Sequence, residues 1–257
     1  KPTAEERRRV PHHLLDVCDL NEAFDAAQFI RSAQTAVTEI QSRGRVPIFC
    51  GGTGLYFKAL LEGVGEAPPG DVKLRVELEA IPLEKLLEEL RERDPLTFEK
   101  IDRQNPRRVI RAVEVIRLTG KPFSEQRAEW KAESGKRKAE NFFCFTRSPE
   151  DLHQRINTRV DAMFVLGLVE ETRELLKHGL AENKFAMQAI GYRQVVEHLR
   201  GERGLAETIE LVKIKTRQFS KRQLTWFRRH GNCEWIDLRP DELGDETMVK
   251  ITAQIAP

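Results

Sequence analysis

Five segments carry residue types at spacings that could do chemistry. Gly51-Gly52-Thr53 follows the apolar run Val46-Pro47-Ile48-Phe49-Cys50. Glycines let the backbone approach a ligand, and a helix starting just after them favours an anion. The Thr53 hydroxyl could bond a phosphate oxygen or a base, although the same residues also make a plain threonine-capped turn. In Pro106-Arg107-Arg108-Val109-Ile110-Arg111, Arg107 and Arg111 share a helix face. Cations in a first turn oppose the macrodipole, which suits an anionic partner, with Glu114 as the competing partner. Arg155 and Arg159, again four apart, could clamp a phosphate or diphosphate, or sit solvated beside Glu150, Asp151 or Asp161. Gln188-Ala189-Ile190-Gly191-Tyr192-Arg193 places a tyrosine and an arginine beside a glycine. That group could stack on an extruded nucleotide or simply pack.

The fifth segment is the strongest. From Lys213 to Arg229 the sequence carries Lys213, Lys215, Arg217, Lys221, Arg222, Arg228 and Arg229, and no carboxylate. On a helical wheel Val212, Phe219 and Trp226 define one face, with Thr216 and Gln223 between them. A solvated helix usually intersperses carboxylates, so this pattern points to a phosphate backbone. A membrane-surface helix fits less well, because polar residues break the apolar face.

The elements that must position these groups follow from local signals. His13 to Val17 reads as a strand. Asp25 with Gln28 forms a capping box for a helix carrying Phe29, Ala33, Val37 and Ile40, stopped at Gly44. Val46–Cys50 reads as a second strand and residues 55–61 as a helix. That alternation predicts a parallel α/β sheet. Beyond Ala67-Pro68-Pro69-Gly70, residues 71–100 are helical and interrupted at Pro82 and Pro95. Asn105 caps a helix with Pro106 at its first position and Gly120 as its stop. Residues 131–138 read as a polar linker and 141–146 as a strand. Ser148-Pro149 opens a helix through Arg159, Gly167 interrupts it and Gly179 closes it. Two further helices follow near 188–199 and 206–229. We expect an α/β core from residues 1–64 and 141–257, with 65–140 as a helical insertion.

At 257 residues the chain suits one large or two modest domains. A net charge of +2 means that any polyanion must be met by local clusters rather than by the whole surface. No apolar run approaches the roughly 20 residues a membrane helix needs. Cys18, Cys50, Cys144 and Cys233 are far apart, with no C-x-x-C pair. They read as reduced thiols of a cytoplasmic protein, Cys50 and Cys144 as core. No histidine has metal-ligand spacing with them, and His12 and His13 would face opposite ways on a strand.

In order, VPHHLLDV, PIFCGGTGLYFKALLEG, NPRRVIRAVEVIRLTGKPFSE, AIGYRQ and TRQFSKRQLTWFR resemble the tRNA dimethylallyltransferase (isopentenyltransferase) family over nearly the whole chain. The resemblance implies a P-loop NTPase-like parallel sheet core with a helical insertion domain and a helix-rich C-terminal part. It implies transfer of a dimethylallyl group from dimethylallyl diphosphate to N6 of the adenine 3′ of the anticodon, in tRNAs reading codons that begin with U. Mg2+ is the implied cofactor and the anticodon stem-loop the implied partner; the expected state is a cytoplasmic monomer. Carried over by position, Thr53 matches the reaction-chamber threonine, and Gly51, Gly52 and Arg159 match diphosphate-binding positions. Arg75, Arg107, Arg108, Arg111, Gln188, Gly191, Tyr192, Arg193, Lys221, Arg222, Gln223, Trp226 and Arg228 match tRNA-contacting positions.

Family members begin with a strand, a G-x-x-x-x-G-K-[ST] phosphate loop and an Asp-Ser segment that supplies the base. Here the sequence opens at Lys1-Pro2-Thr3, which resembles the text after that region. We therefore expect either a fragment with an exposed sheet edge or a chain that depends on a preceding segment, and an insertion between Glu79 and Asp94 shorter than usual. The alternatives are a P-loop small-molecule kinase, which gives the basic helix nothing to contact, and a non-catalytic tRNA-binding remnant.

Overall fold

The computed structural model describes residues 1–20, 22, 24–63, 67–126, 141–230, 233–242 and 244–255. The chain divides into two compact units, one of residues 1–54 with 139–257 and one of residues 55–138.

The first unit begins with α1 (Ala4–Arg9) and α2 (Ala26–Ser42). The α2 capping box forms as its sequence predicts: Asp25 Oδ1 accepts from Gln28 N at 2.8 Å, and Gln28 Oε1 accepts from Asp25 N at 2.9 Å. Its buried face is Ile30, Ala33 and Ala36, so Ala33 was legible while Ile30 and Ala36 replace Phe29, Val37 and Ile40 at the centre. Gly44 follows at φ +66°, the left-handed turn expected of a helix stop.

The α/β character is present, but the protein is mostly helical. Two parallel strands, β1 (Phe143–Thr146) and β2 (Glu234–Asp237), pair with Phe143 opposite Glu234 and Thr146 opposite Asp237. Residues 141–146 thus contain the expected strand, whereas β2 was not anticipated. Neither 13–17 nor 46–50 is a strand. Leu14 and Asp16 adopt φ of 60° and 55°, which breaks extended backbone. Val46 and Ile48 are 83% and 88% exposed. Extended backbone becomes a strand only when a neighbour pairs with it, and among the described residues β1 and β2 pair only with each other.

The link from β1 to β2 is helical: α8 (Pro149–Val165), α9 (Leu168–Lys177), a 3₁₀ turn at Ala186–Gln188, α10 (Tyr192–Leu199) and α11 (Leu205–His230). Ser148 caps α8 through Asp151 N, with Pro149 at N1, and Gly167 at φ +100° separates α8 from α9. Helices α8 and α11 pack through Ile156, Val160 and Val212. The buried stripe of α11 runs through Val212 and Phe227, whereas Phe219 is 41% exposed. The predicted Val212–Phe219–Trp226 face is therefore rotated in the fold.

Cys144 and Cys233 form a disulfide, correcting the expectation of reduced thiols throughout. The signal was absent from spacing because the strand pairing alone brings the two together. Cys50 is exposed rather than core, since its segment joins no sheet.

After β2 comes α12 (Gly244–Thr252). Glu242, which precedes it, accepts from Lys250 Nζ at 2.6 Å, Thr247 Oγ1 at 2.9 Å and Arg239 N at 3.1 Å. Lys250 first, and then the Arg239 N–H, hold its carboxyl down at about 2. A depressed carboxylate stabilises the fold above its ordinary 4.5 and loses that contribution as pH falls towards 2. Lys250→Met should therefore lower the melting temperature at pH 7, and the deficit should shrink by pH 2.5. A deficit of the same size at both pH values would exclude this linkage.

The second unit is helical: α3 (Gly54–Glu62, starting at the boundary), α4 (Val72–Glu79), α5 (Leu83–Arg93), α6 (Pro95–Lys100) and α7 (Pro106–Thr119). Pro82, Pro95, Asn105 and Gly120 punctuate it as their chemistry predicts, with Gly120 at φ +70°. Leu78, Leu86, Leu90, Val109, Ala112, Val113 and Ile116 form its core. The expected linker at 131–138 lies outside the described residues.

Candidate functional site

The glycine-threonine turn lies against the basic helix. Gln223 Nε2 donates to the Gly52 carbonyl at 2.8 Å, tying residue 52 to α11 across 171 positions. A Cβ added to Gly54 would fall 2.2 Å from Trp226 Cδ2, so the absence of a side chain there permits the turn to rest on the indole. Trp226 is itself set edge-to-face against Phe227, with centroids 4.9 Å apart, and Phe227 is buried. Thr53 is exposed, and its hydroxyl has no hydrogen-bond partner among the described residues. The turn thus presents a free hydroxyl from a fixed backbone.

Gly54→Ala should force the turn off the indole. Overpacking of this kind costs about 1–3 kcal/mol, so we expect a lower melting temperature and reduced activity. A melt superimposable on wild type would mean that the contact does not hold the turn.

Geometry sorts the cations of α11 into two groups. Lys213 pairs with Asp161 and Glu210, each at 2.8 Å, and Arg217 donates to Asn157 Oδ1 at 2.6 Å. These tie the helix to α8 and to itself. Lys221 is exposed, with no ion pair among the described residues. Arg222 lies over the Phe219 ring at 5.7 Å and Arg228 over Trp235 at 5.6 Å. Their guanidiniums are oriented by aromatic faces while staying exposed.

On α8 the two candidate arginines part company. Arg155 bonds Asp151 at 3.0 Å and the Pro240 carbonyl at 2.7 Å, which leaves it a structural role. Burial works against the Asp151 carboxylate, but Arg147 and Arg155 outweigh it and its pKa is lowered. Arg159 is exposed and carries no ion pair among the described residues.

The segment 188–193 is braced by hydrogen bonds. Gln188 Nε2 donates to Lys184 O at 2.7 Å, and Gly191, at φ +113°, donates its N–H to Gln194 Oε1 at 2.9 Å. Tyr192 Oη donates to Glu171 Oε1 at 2.6 Å. Burial, followed by Glu171, pushes the Tyr192 phenol up to about 12, so it remains a neutral donor. Arg193 pairs with Glu197 at 3.1 Å.

In the second unit Arg107 and Arg108 are exposed on the first turn of α7. Arg75 and Arg111 are engaged by Glu114, which is fully buried. Glu114 was legible as a partner of α7 arginines. Its claim on Arg75, 39 positions away, was not. Sequence reasoning also missed Glu171 and Asn183. The Asn183 amide donates to the Leu20 carbonyl, and its oxygen accepts from Ala186 N at 2.8 Å.

Among the described residues no three histidine, cysteine, aspartate or glutamate side chains converge as a metal site. Nor is any described helix long and apolar enough to cross a membrane.

A mostly helical α/β chain with a small parallel sheet and a glycine-threonine turn seated on a cationic helix suits a transferase acting on a polyanion. Residues 1–230 match the family described as IPP transferase, and the chain belongs to that family. It is 44% identical over 241 residues to tRNA dimethylallyltransferase 1 of Trichlorobacter lovleyi, covering 92% of this chain and 78% of that protein. It is 37% identical over 253 residues to the tRNA dimethylallyltransferase of Thermotoga petrophila, covering 95% and 80%. Among solved structures, the full-length tRNA isopentenylpyrophosphate transferase of Bacillus halodurans matches with a TM-score of 0.68 and 37% identity, over 99% of this chain and 80% of that one. A eukaryotic dimethylallyltransferase, solved in crystallographic snapshots acting on tRNA, matches with a TM-score of 0.81 and 26% identity, over 98% and 67%.

Proposed function

We propose that this enzyme transfers a dimethylallyl group from dimethylallyl diphosphate to the exocyclic N6 of the adenine 3′ of a tRNA anticodon. The observation that carries this reading is the Gln223–Gly52 hydrogen bond, which joins the reactive turn to the RNA-type helix. In the reaction the allylic carbon–oxygen bond breaks, diphosphate leaves with the electron pair, N6 bonds to that carbon, and the N6 proton passes to the released diphosphate or to water. Negative charge grows on the leaving diphosphate, where backbone N–H groups and cations stabilise it most. The N–H groups of Gly51 and Gly52 and the Arg159 guanidinium take that role in our reading. Thr53 orients the reacting partners through its hydroxyl.

The adenine must leave the anticodon-loop stack, as in base-flipping enzymes. Tyr192 and Arg193 are the stacking and forking residues we assign to the extruded nucleotides. Lys221, Arg222 and Arg228 take backbone phosphates, as do Arg107 and Arg108 of the second unit. Among the described residues no three histidine, cysteine or carboxylate side chains converge as a dedicated cage for Mg2+. The P-loop-like core is part of the same reading, supported by the family match and the parallel pairing of β1 with β2.

Incubating the protein with dimethylallyl diphosphate, magnesium and unmodified tRNA, then analysing nucleosides by mass spectrometry, tests the proposal. Isopentenyladenosine is the expected product. Tight tRNA binding without that nucleoside would point instead to a non-catalytic RNA-binding module.

A further inference from the structure

Glu114 is a fully buried carboxylate of the second unit, and it draws two arginines to itself. Its Oε1 accepts from Asp71 N at 2.9 Å and lies 2.8 Å from Arg75 Nε in an ion pair. Its Oε2 accepts from Arg75 Nη2 at 3.1 Å and from Arg111 Nη1. An ionised carboxylate has about four acceptor directions, so three hydrogen bonds and the close Arg75 Nε leave Glu114 little capacity for another donor. Arg111 is pinned at a second point, Nη2 donating to the Pro68 carbonyl at 2.6 Å.

The backbone beside them is shaped to this arrangement. A Cβ on Gly70 would lie 2.2 Å from Arg75 Nη2 and 2.5 Å from its Cζ, so the guanidinium packs closely against a bare Cα. Glu114 has no exposed surface, yet the Arg75 and Arg111 side chains keep 39% and 30% of theirs. Two guanidiniums face one carboxylate, which leaves one net positive charge and, among the described residues, several N–H groups without a protein acceptor. An isolated buried ion pair would need no second arginine and no exposed edge.

We infer that Glu114 is a positioning residue for RNA. It touches no nucleotide, but locks Arg75 and Arg111 so that their outer N–H edges form a pre-set fork for backbone phosphate oxygens. This inference rests on the tRNA reading above and adds a determinant to it. Planar guanidiniums bind phosphate best when two N–H groups align with two oxygens, and prior orientation removes the entropy of arranging them on binding.

Two variants separate orientation from charge. Glu114→Gln puts an amide where both positions receive donors, so one donor meets another in either flip. Gly70→Ala changes no charge and no core residue, yet displaces the Arg75 fork. The full protein is used, with the dissociation constant for unmodified tRNA measured from low to moderate salt. Thermal melts and single-turnover transfer at saturating tRNA are measured alongside.

Both variants should weaken tRNA binding by about tenfold and lower the salt slope by roughly one, the signature of one lost phosphate contact. Transfer at saturation should stay within about twofold, as expected for a residue that serves binding. Gly70→Ala should also melt close to wild type. Wild-type binding and slope in Gly70→Ala would overturn the positioning role even if Glu114→Gln were unstable. Failure of the wild-type protein itself to bind tRNA would instead sink the reading beneath it.

Discussion

Thr53→Ala should lower prenyl transfer on the order of 10²–10³-fold, the usual cost of removing one oriented transition-state hydrogen bond, and leave tRNA affinity within about twofold. The expectation follows from the division of labour in the site. Gln223 and Trp226 hold the turn through the Gly52 carbonyl and the bare face of Gly54, so the threonine side chain is not needed to keep the backbone in place. Its hydroxyl is exposed and unclaimed among the described residues, which leaves it available to substrate. Single-turnover transfer to unmodified tRNA measures the first quantity, and filter binding the second. Thr53→Ser keeps a hydroxyl at the same position and should recover most of the rate. Equal losses of rate and affinity in Thr53→Ala would place the residue in RNA binding and refute the assignment.

The second large effect is expected on α11. Lys221→Glu combined with Arg222→Glu should weaken tRNA binding by roughly 100-fold or more at low salt. Each lost phosphate contact lowers the slope of log affinity against log salt by about one, so the line should flatten by about two. Lys221 has no competing carboxylate among the described residues, and Arg222 is turned outward over Phe219. Lys213 and Arg217 make the contrast, because Asp161, Glu210 and Asn157 already occupy them. Their substitution should disturb α11 packing more than the salt slope. An unchanged slope in the Lys221 and Arg222 double variant would remove this face of the helix from the RNA interface.

The sequence was most legible where one residue's chemistry decides the outcome within a turn. Asp25 with Gln28, Asn105 with Pro106, Ser148 with Pro149, and the stops at Gly120 and Gly167 all form as local donors, acceptors and backbone freedom require. Strands were less legible, because a strand is a relation between two segments. Residues 46–50 have the composition of one and lack a pairing neighbour among the described residues, while Glu234–Asp237 is brief and polar at its ends yet finds β1. The basic character of α11 was plain, but a helical wheel does not say which stripe meets α8. Phe227 rather than Phe219 turned inward. Among the arginines, the spacing of Arg155 and Arg159 suggested a shared task, whereas Asp151 and the Pro240 carbonyl claim only the first. Such claims come from tertiary placement, and periodicity does not contain them.

The parallel pairing of β1 with β2 also sets an order of events during folding. The disulfide that accompanies it joins residues 89 positions apart, and nearly everything between them is helix. Loop closure over such a distance is entropically costly until the intervening chain has become compact, whereas helices grow from contacts within a few residues. The bundle of α8 to α11 should therefore assemble early and bring the two strand segments within reach. In this protein the helical layer is the template, and the sheet is the seam closed last.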